Sequence, residues 1–217
     1  MNVLAIDTAT PACTVALSVA GRVFQQHQIL PRQQSNAVLG FVDALLTEAG
    51  CSLAEIDLIA CGVGPGSFMG VRLAVSVVQG LAFARAIPVV VLSTLQIIAQ
   101  STYLAHSFTE VAVLWDARMN EVYHGVYSCQ TGVMLPSQPD VLLKPAELSK
   151  APSSVVVGNG LEAYREQFLP SFHQSVVSEQ LCYPEASAMI SLAQHVADHQ
   201  GAVAARDLQP TYLRRPV

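Results

Sequence analysis

The order of predicted elements makes this chain an α/β protein built twice on one plan: three strands, a helix, a strand and a helix. Three observations lead there. A short apolar run at residues 3–6 ends at Asp7 and a polar turn, and two antiparallel strands follow. A strand at residues 58–63 then runs through glycines into a long apolar helix, a strand–loop–helix step. The opening order of strand, aspartate, turn, strand, hairpin and strand recurs from Val111. The repeat divides the chain near residue 107, into 1–106 and a shorter 107–217.

The remaining elements follow from local pattern. Residues 14–19 and 22–29 are strands joined across Ala20-Gly21. Residues 35–49 carry Val38, Leu39, Val42, Leu45 and Leu46 at helical spacing, with Ser35 expected as N-cap and Gly50 as the stop. Ser52 and Glu55 have capping-box spacing. From 69 to 85 the apolar residues go almost all round, so this helix must be covered on more than one side, in part by another protein. Residues 89–92 form a strand of parallel type, and Ser93 with Gln96 opens a helix to about Ala105. In the second half, strands are expected at 111–115, 121–128, 133–135 and 155–157, the last leading through Gly158-Asn159-Gly160 into a helix at 161–168. A helix at 184–200 closes the chain. Two copies of this plan are the arrangement of the duplicated ribonuclease H-like fold of sugar kinases, actin and Hsp70 (the ASKHA group), with mixed sheets flanked by helices and a trimmed second copy.

Composition narrows the function. Of 217 residues, 52% are hydrophobic and 12% charged, which excludes a disordered chain and leaves apolar surface for a partner. The net charge is −5 and only Arg214 and Arg215 are adjacent basic residues, so any RNA contact needs a partner's help. Cys13, Cys51, Cys61, Cys129 and Cys182 lie apart and form no CxxC, which fits a reducing cytoplasm better than a disulfide framework or zinc ribbon. The run at 3–6 is too short for a signal segment and that at 87–92 too short for a membrane span, so a soluble, cytoplasmic protein is expected.

Each chemistry-bearing string has a structural reading beside the functional one. Asp7-Thr8-Ala9-Thr10 stands where this fold places phosphate and magnesium ligands, which makes Asp7, Thr8 and Thr10 nucleotide-site candidates. The turn lacks a glycine for close phosphate approach, which favours side-chain to backbone bonds instead. Gly64-Pro65-Gly66-Ser67 lies between a strand and a helix N-terminus, so Gly64, Gly66 and Ser67 are anion-binding candidates. It is no Walker A loop, and its other reading is a tight turn. Asp116, Arg118, Glu121 and Tyr123 suggest acid–base chemistry, or a turn stabilised by a salt bridge, which is preferred. Glu185 and Ser187 read as helix N-terminal groups. His195 and His199 share a helix face, but no Glu follows the first and no third ligand is evident, so a solvated face is preferred to a metal pair.

Taken together, Leu4-Ala5-Ile6-Asp7-Thr8-Ala9-Thr10, Gly64-Pro65-Gly66-Ser67-Phe68 with Gly70-Val71-Arg72 and Gln79-Gly80-Leu81-Ala82, Ser93-Thr94-Leu95, Asp116-Ala117-Arg118 with Glu121-Val122-Tyr123, and Pro210-Thr211-Tyr212-Leu213-Arg214 resemble the TsaB (YeaZ) family over nearly the whole chain. The resemblance implies a pseudo-enzyme relative of TsaD, which transfers a threonylcarbamoyl group from its adenylate to the adenosine beside the anticodon in tRNAs reading codons that begin with A. It implies a heterodimer with TsaD through N-terminal helices, an ATPase cycle from TsaE, a homodimer when alone, tRNA contact only through the complex, and no membrane. Val38, Val42, Leu45, Val71, Arg72, Val75, Val78 and Gln79 are the expected partner face. No cofactor is expected on this chain alone, and ATP or ADP with magnesium belongs to the complex. The TsaD branch carries a His-x-x-x-His metal pair; aligning on Pro88 puts Thr94 and Ile98 there, and neither is a first-shell metal ligand. No metal site and no catalytic residue are therefore expected. Met69 stands where the family usually has Thr, which weakens a phosphate role for the loop. The rival readings are a glycoprotease-type peptidase with Ser67 as nucleophile and an autonomous ATP-binding, kinase-like protein.

Overall fold

A five-residue strand with every residue buried, β1 (Val3–Asp7), organises the first half. It pairs antiparallel with β2 (Ala12–Val19), which turns through Ala20 and Gly21, both at positive φ, into β3 (Arg22–Ile29). α1 (Gln34–Ala49) follows, then β4 (Leu58–Gly62), α2 (Phe68–Arg85), β5 (Val89–Leu92) and α3 (Thr94–His106). β1, β4 and β5 are mutually parallel neighbours in a sheet of order β3-β2-β1-β4-β5. Continuous apolar runs such as β1 and β4 suit a sheet covered on both faces. The second half builds β6 (Glu110–Asp116), β7 (Val122–Gln130), β8 (Val133–Pro136), β9 (Val141–Leu143), β10 (Val155–Val157), α4 (Gly160–Ala163), α5 (Pro170–Ser175) and β11 (Ser178–Gln180), before α6 (Ala186–His199). Its sheet runs β11-β10-β6-β7-β8, with β9 also on β7. The computed structural model describes residues 1–148, 155–176, 178–180 and 182–214; the predicted Arg215 lies outside them.

The fold is α/β with two mixed sheets flanked by helices, the duplicated arrangement expected. The division at residue 107 needs correction. One compact unit comprises residues 1–97 with 184–211, the other residues 98–183 with 212–217, so the break falls inside α3 and the closing helix returns to the first unit. The reason is the apolar stripe of α6. Met189, Leu192, Ala193 and Val196 are buried, and the helix packs on β1, β2 and β5. Its first amides are anchored there too, Ala186 N–H donating to Thr14 Oγ1 at 2.9 Å and Ser187 N–H to Gln25 Oε1 at 2.7 Å.

Other boundaries moved for local reasons. α1 begins at Gln34, one residue before the expected cap, because the Gln34 side chain donates to the Thr10 carbonyl at 2.8 Å and holds the first turn down. Gly50 stops it as expected, at φ 61. The Ser52–Glu55 capping box forms. The helix expected at 161–168 breaks at Tyr164 into α4 and a 3-10 turn. The core of the first unit centres on Leu4, Ile6, Leu17, Leu45, Ile59 and Val78; that of the second on Leu114, Val122, Val156 and Leu161, with the stacked rings of Phe168 and Phe172.

Candidate functional site

The turn after β1 is the first place to look for chemistry, and it is full. Asp7, Thr8 and Thr10 are buried. Asp7 Oδ1 accepts from the Ala9 N–H at 2.8 Å and Oδ2 from Thr94 Oγ1 at 2.8 Å. Thr8 Oγ1 donates to the Gly70 carbonyl at 2.7 Å, and Thr10 Oγ1 accepts from the Ala12 N–H at 3.1 Å. Every side chain nominated here for a phosphate or a metal is thus spent on the protein's own backbone or on Thr94. Burial pushes the Asp7 carboxyl up to about 6, against the two hydrogen bonds that pull it down.

The glycine loop closes over the same turn. Ser67 N–H donates to the Ala9 carbonyl at 2.7 Å, and a β-carbon on Gly66 would strike Ala9. Gly64, at φ 94, gives its carbonyl to the Thr94 N–H at 2.8 Å. Ser67 Oγ caps α2 by accepting the Gly70 N–H at 3.2 Å. No histidine bonds to that hydroxyl among the described residues, so Ser67 acts as a helix cap and has no base beside it. Gly62 must lack a side chain, because its β-carbon would fall on the Asp7 carboxylate.

Thr94 and Ile98 are both buried, Thr94 holding Asp7 and Ile98 packed in the interior. Among the described residues, no group of three or more His, Cys, Asp or Glu side chains is placed to hold an ion.

The expected partner face divides differently from the prediction. Val38, Val42, Leu45, Val71, Val75 and Val78 are core residues of the first unit, so they do not form a surface. The reason is that the most apolar stripe of each helix is taken by its own sheet. Gln79 is half-buried, its amide donating to the Leu208 carbonyl at 2.8 Å. Arg72 alone of the eight is exposed, its guanidinium 3.7 Å above the Phe68 ring. What α1 and α2 leave outside is a set that sequence reasoning missed: Leu39 at 56% exposure, Phe68 at 55%, Met69 at 73% and Phe83 at 81%. Their signal was present as apolar residues off the main stripe. α2 has the length and hydropathy of a membrane span by composition, but its valine stripe is buried against the sheet.

In the second unit, two motifs far apart in the chain meet. Arg214 pairs with Glu121 at 2.7 Å, donates to the carbonyls of Ala117 at 3.0 Å and Arg118 at 3.3 Å, and touches the Met119 sulfur. It braces a turn in which Arg118, Met119 and Asn120 are all left-handed, a conformation that costs roughly 1–2 kcal/mol per non-glycine residue. Asp116 bridges to Arg118 at 3.1 Å and accepts from the Tyr164 hydroxyl at 2.7 Å. Burial raises the Tyr123 phenol, with nearby Arg214 pulling the other way. The expected salt-bridged turn is what forms.

Comparison with known proteins decides the family. A family model described as TsaD, tRNA N6-adenosine threonylcarbamoyltransferase, matches residues 23–211. The chain is 34% identical to the tRNA threonylcarbamoyladenosine biosynthesis protein TsaB of Escherichia coli strain K12, over 100% of this chain and 96% of that one. It is 31% identical to TsaB of Haemophilus influenzae, over 100% and 95%. The chain belongs to the TsaB family. YeaZ from Pseudomonas aeruginosa has the same fold, with a TM-score of 0.89 at 37% identity over 98% of this chain and 99% of that one. For a TsaB-family chain, the strings that carried the resemblance have definite structural work. The first and second close the turn at Asp7, Ser93-Thr94-Leu95 supplies its second donor, and the fourth and fifth form the Arg214–Glu121 brace.

Proposed function

We propose that this chain is a non-catalytic subunit in the biosynthesis of tRNA threonylcarbamoyladenosine in the cytoplasm, pairing with a TsaD-type transferase and working with a TsaE-type ATPase. The observation that carries this reading is the exposed apolar set on α1 and α2: Leu39, Phe68, Met69 and Phe83. Half-exposed Leu73, Val77 and Leu81 join it on α2, and the small residues Ser76 and Gly80 between them let another helix come close. Phe83 also walls a groove with Ile87, Pro88 and Val203. Burying a few hundred Å² of such surface at about 25 cal/mol per Å² contributes on the order of 5–10 kcal/mol, the same size as the entropic cost of association. In this reading the same face also pairs with a second copy of the chain, so a homodimer competes when the transferase is absent.

The internally satisfied turn supports the non-catalytic part. A nucleotide phosphate at Asp7, Thr8 or Thr10 would have to displace buried hydrogen bonds, and a metal at Thr94 and Ile98 would find no strong donor. ATP or ADP with magnesium, and tRNA, are therefore assigned to the assembled complex. Co-elution on a sizing column tests the pairing: wild-type chain should form a mixed dimer with the transferase, and Met69→Glu with Phe83→Glu should abolish it while keeping the native far-ultraviolet spectrum. A wild-type chain that never co-elutes, or a double variant that pairs normally, would sink the reading.

A further inference from the structure

We propose that His195 and His199 form a two-ligand site for a divalent transition-metal ion on the last two turns of α6. Spacing alone leaves the pair as a solvated helix face; three features of the side chains carry the inference further. The two imidazoles stand face to face, with ring centroids 4.3 Å apart and planes 22° apart. Both imidazoles therefore reach one volume on the same helix face. A change of rotamer at His195 that takes its ring out of the stack turns its in-plane lone pair toward an ion held by His199, two nitrogens on one zinc ion being roughly 3.3 Å apart at about 2.0–2.1 Å each.

The second feature is the hydrogen bond at His199. Its Nδ1 lies 2.8 Å from the His195 carbonyl, and a carbonyl can only accept, so Nδ1 carries the proton. In the neutral ring the lone pair is then on Nε2, free for a ligand. A backbone carbonyl bonded to the other ring nitrogen is the usual means of fixing a metal-binding histidine in tautomer and orientation. His195 is half-buried and its ring nitrogens hydrogen-bond to none of the described residues, which leaves a lone pair there as well.

The third feature is position. His199 is the last residue of α6, where carbonyls without helical partners give the helix end a partial negative charge that favours a cation. Imidazole pairs select nickel, copper and zinc; magnesium and calcium prefer oxygen. With two protein ligands, water fills the remaining positions and binding is reversible. The ion would clamp the end of α6 just before the chain returns to the edge of β5, where Val203 and Val89 exchange hydrogen bonds of 2.8 and 2.9 Å.

Calorimetric titration of the chelator-treated full chain with Ni²⁺, with Mg²⁺ as control, tests the site, read beside thermal melts with and without Ni²⁺. One Ni²⁺ equivalent should be present in the wild type and missing from the His195→Ala/His199→Ala double variant. Loss of either ligand should weaken that equivalent by about tenfold or more, since even outer-shell partners are worth that much. Ni²⁺ should raise the wild-type Tm and leave that of the double variant unmoved, because the ion binds only the folded pair. His199→Gln keeps a polar helix residue and decides the matter if the double variant does not fold. Equal Ni²⁺ uptake and equal Tm response in wild type and His199→Gln would overturn the proposal, as would a wild type that binds no Ni²⁺.

Discussion

At the end of β1 the Asp7 carboxyl lies out of solvent, held by the Thr94 hydroxyl and the Ala9 amide. Its pKa of about 6 against an ordinary 3.8 means the folded state binds the proton more tightly than the unfolded chain. The stability this provides is full below about pH 4 and is lost as pH rises through 6, a change of roughly 3 kcal/mol. Urea denaturation at pH 4.5 and pH 7.5 should show the wild type losing stability between the two relative to Asp7→Asn, which has nothing to ionise; parallel profiles would contradict the assignment. Thr94→Val removes one donor and should cost about 1–3 kcal/mol at neutral pH, and it should also move the pH transition upward, because the lost hydrogen bond is one that lowers the Asp7 pKa. Gly62→Ala should cost a similar 1–3 kcal/mol by urea denaturation, because the new methyl meets the same carboxylate.

α2 shows what a helix pattern reveals and what it withholds. Its all-round apolarity led to an expected cover on more than one side; its own sheet takes the valine stripe at Val71, Val75 and Val78 that was assigned to a partner, and Phe68, Met69 and Phe83 stay exposed. A pattern reports that a face is buried; it does not say by what. The consequence is measurable in thermal melts: Val75→Asp should cost more than about 3 kcal/mol by placing an unpaired charge in the core, while Met69→Ser should change stability by less than about 1 kcal/mol. The alternating strands, the Ala20-Gly21 hairpin, Gly50 and the Ser52–Glu55 box were legible because their causes are local. α6 was not placed correctly because membership in a sheet is decided by distant residues, here Thr14 and Gln25. β9, β11 and α5 are too short to show a period. The strings at 116–123 and 210–214 were visible separately, and nothing in either pointed to the other. Arg214→Ala should loosen their turn and cost about 1 kcal/mol, a partly exposed pair being discounted for solvent, with faster amide exchange at residues 117–121.

The whole molecule combines an acidic surface charge, a first unit whose chemistry-bearing turn is closed on itself, and two helices that expose phenylalanine, methionine and leucine. A net charge of −5 does not favour an independent hold on tRNA, and exposed apolar residues on two helices suit a contact with protein. The proposed role therefore places its contribution to tRNA modification in association with a partner. Reconstituted threonylcarbamoyl transfer to tRNA, with and without this chain beside the transferase and ATPase, tests that most directly. No transfer by this chain alone, full transfer with all components, and loss of transfer with the folded Met69→Glu/Phe83→Glu variant are predicted. Transfer by the isolated chain, or undiminished transfer with that variant, would contradict the account.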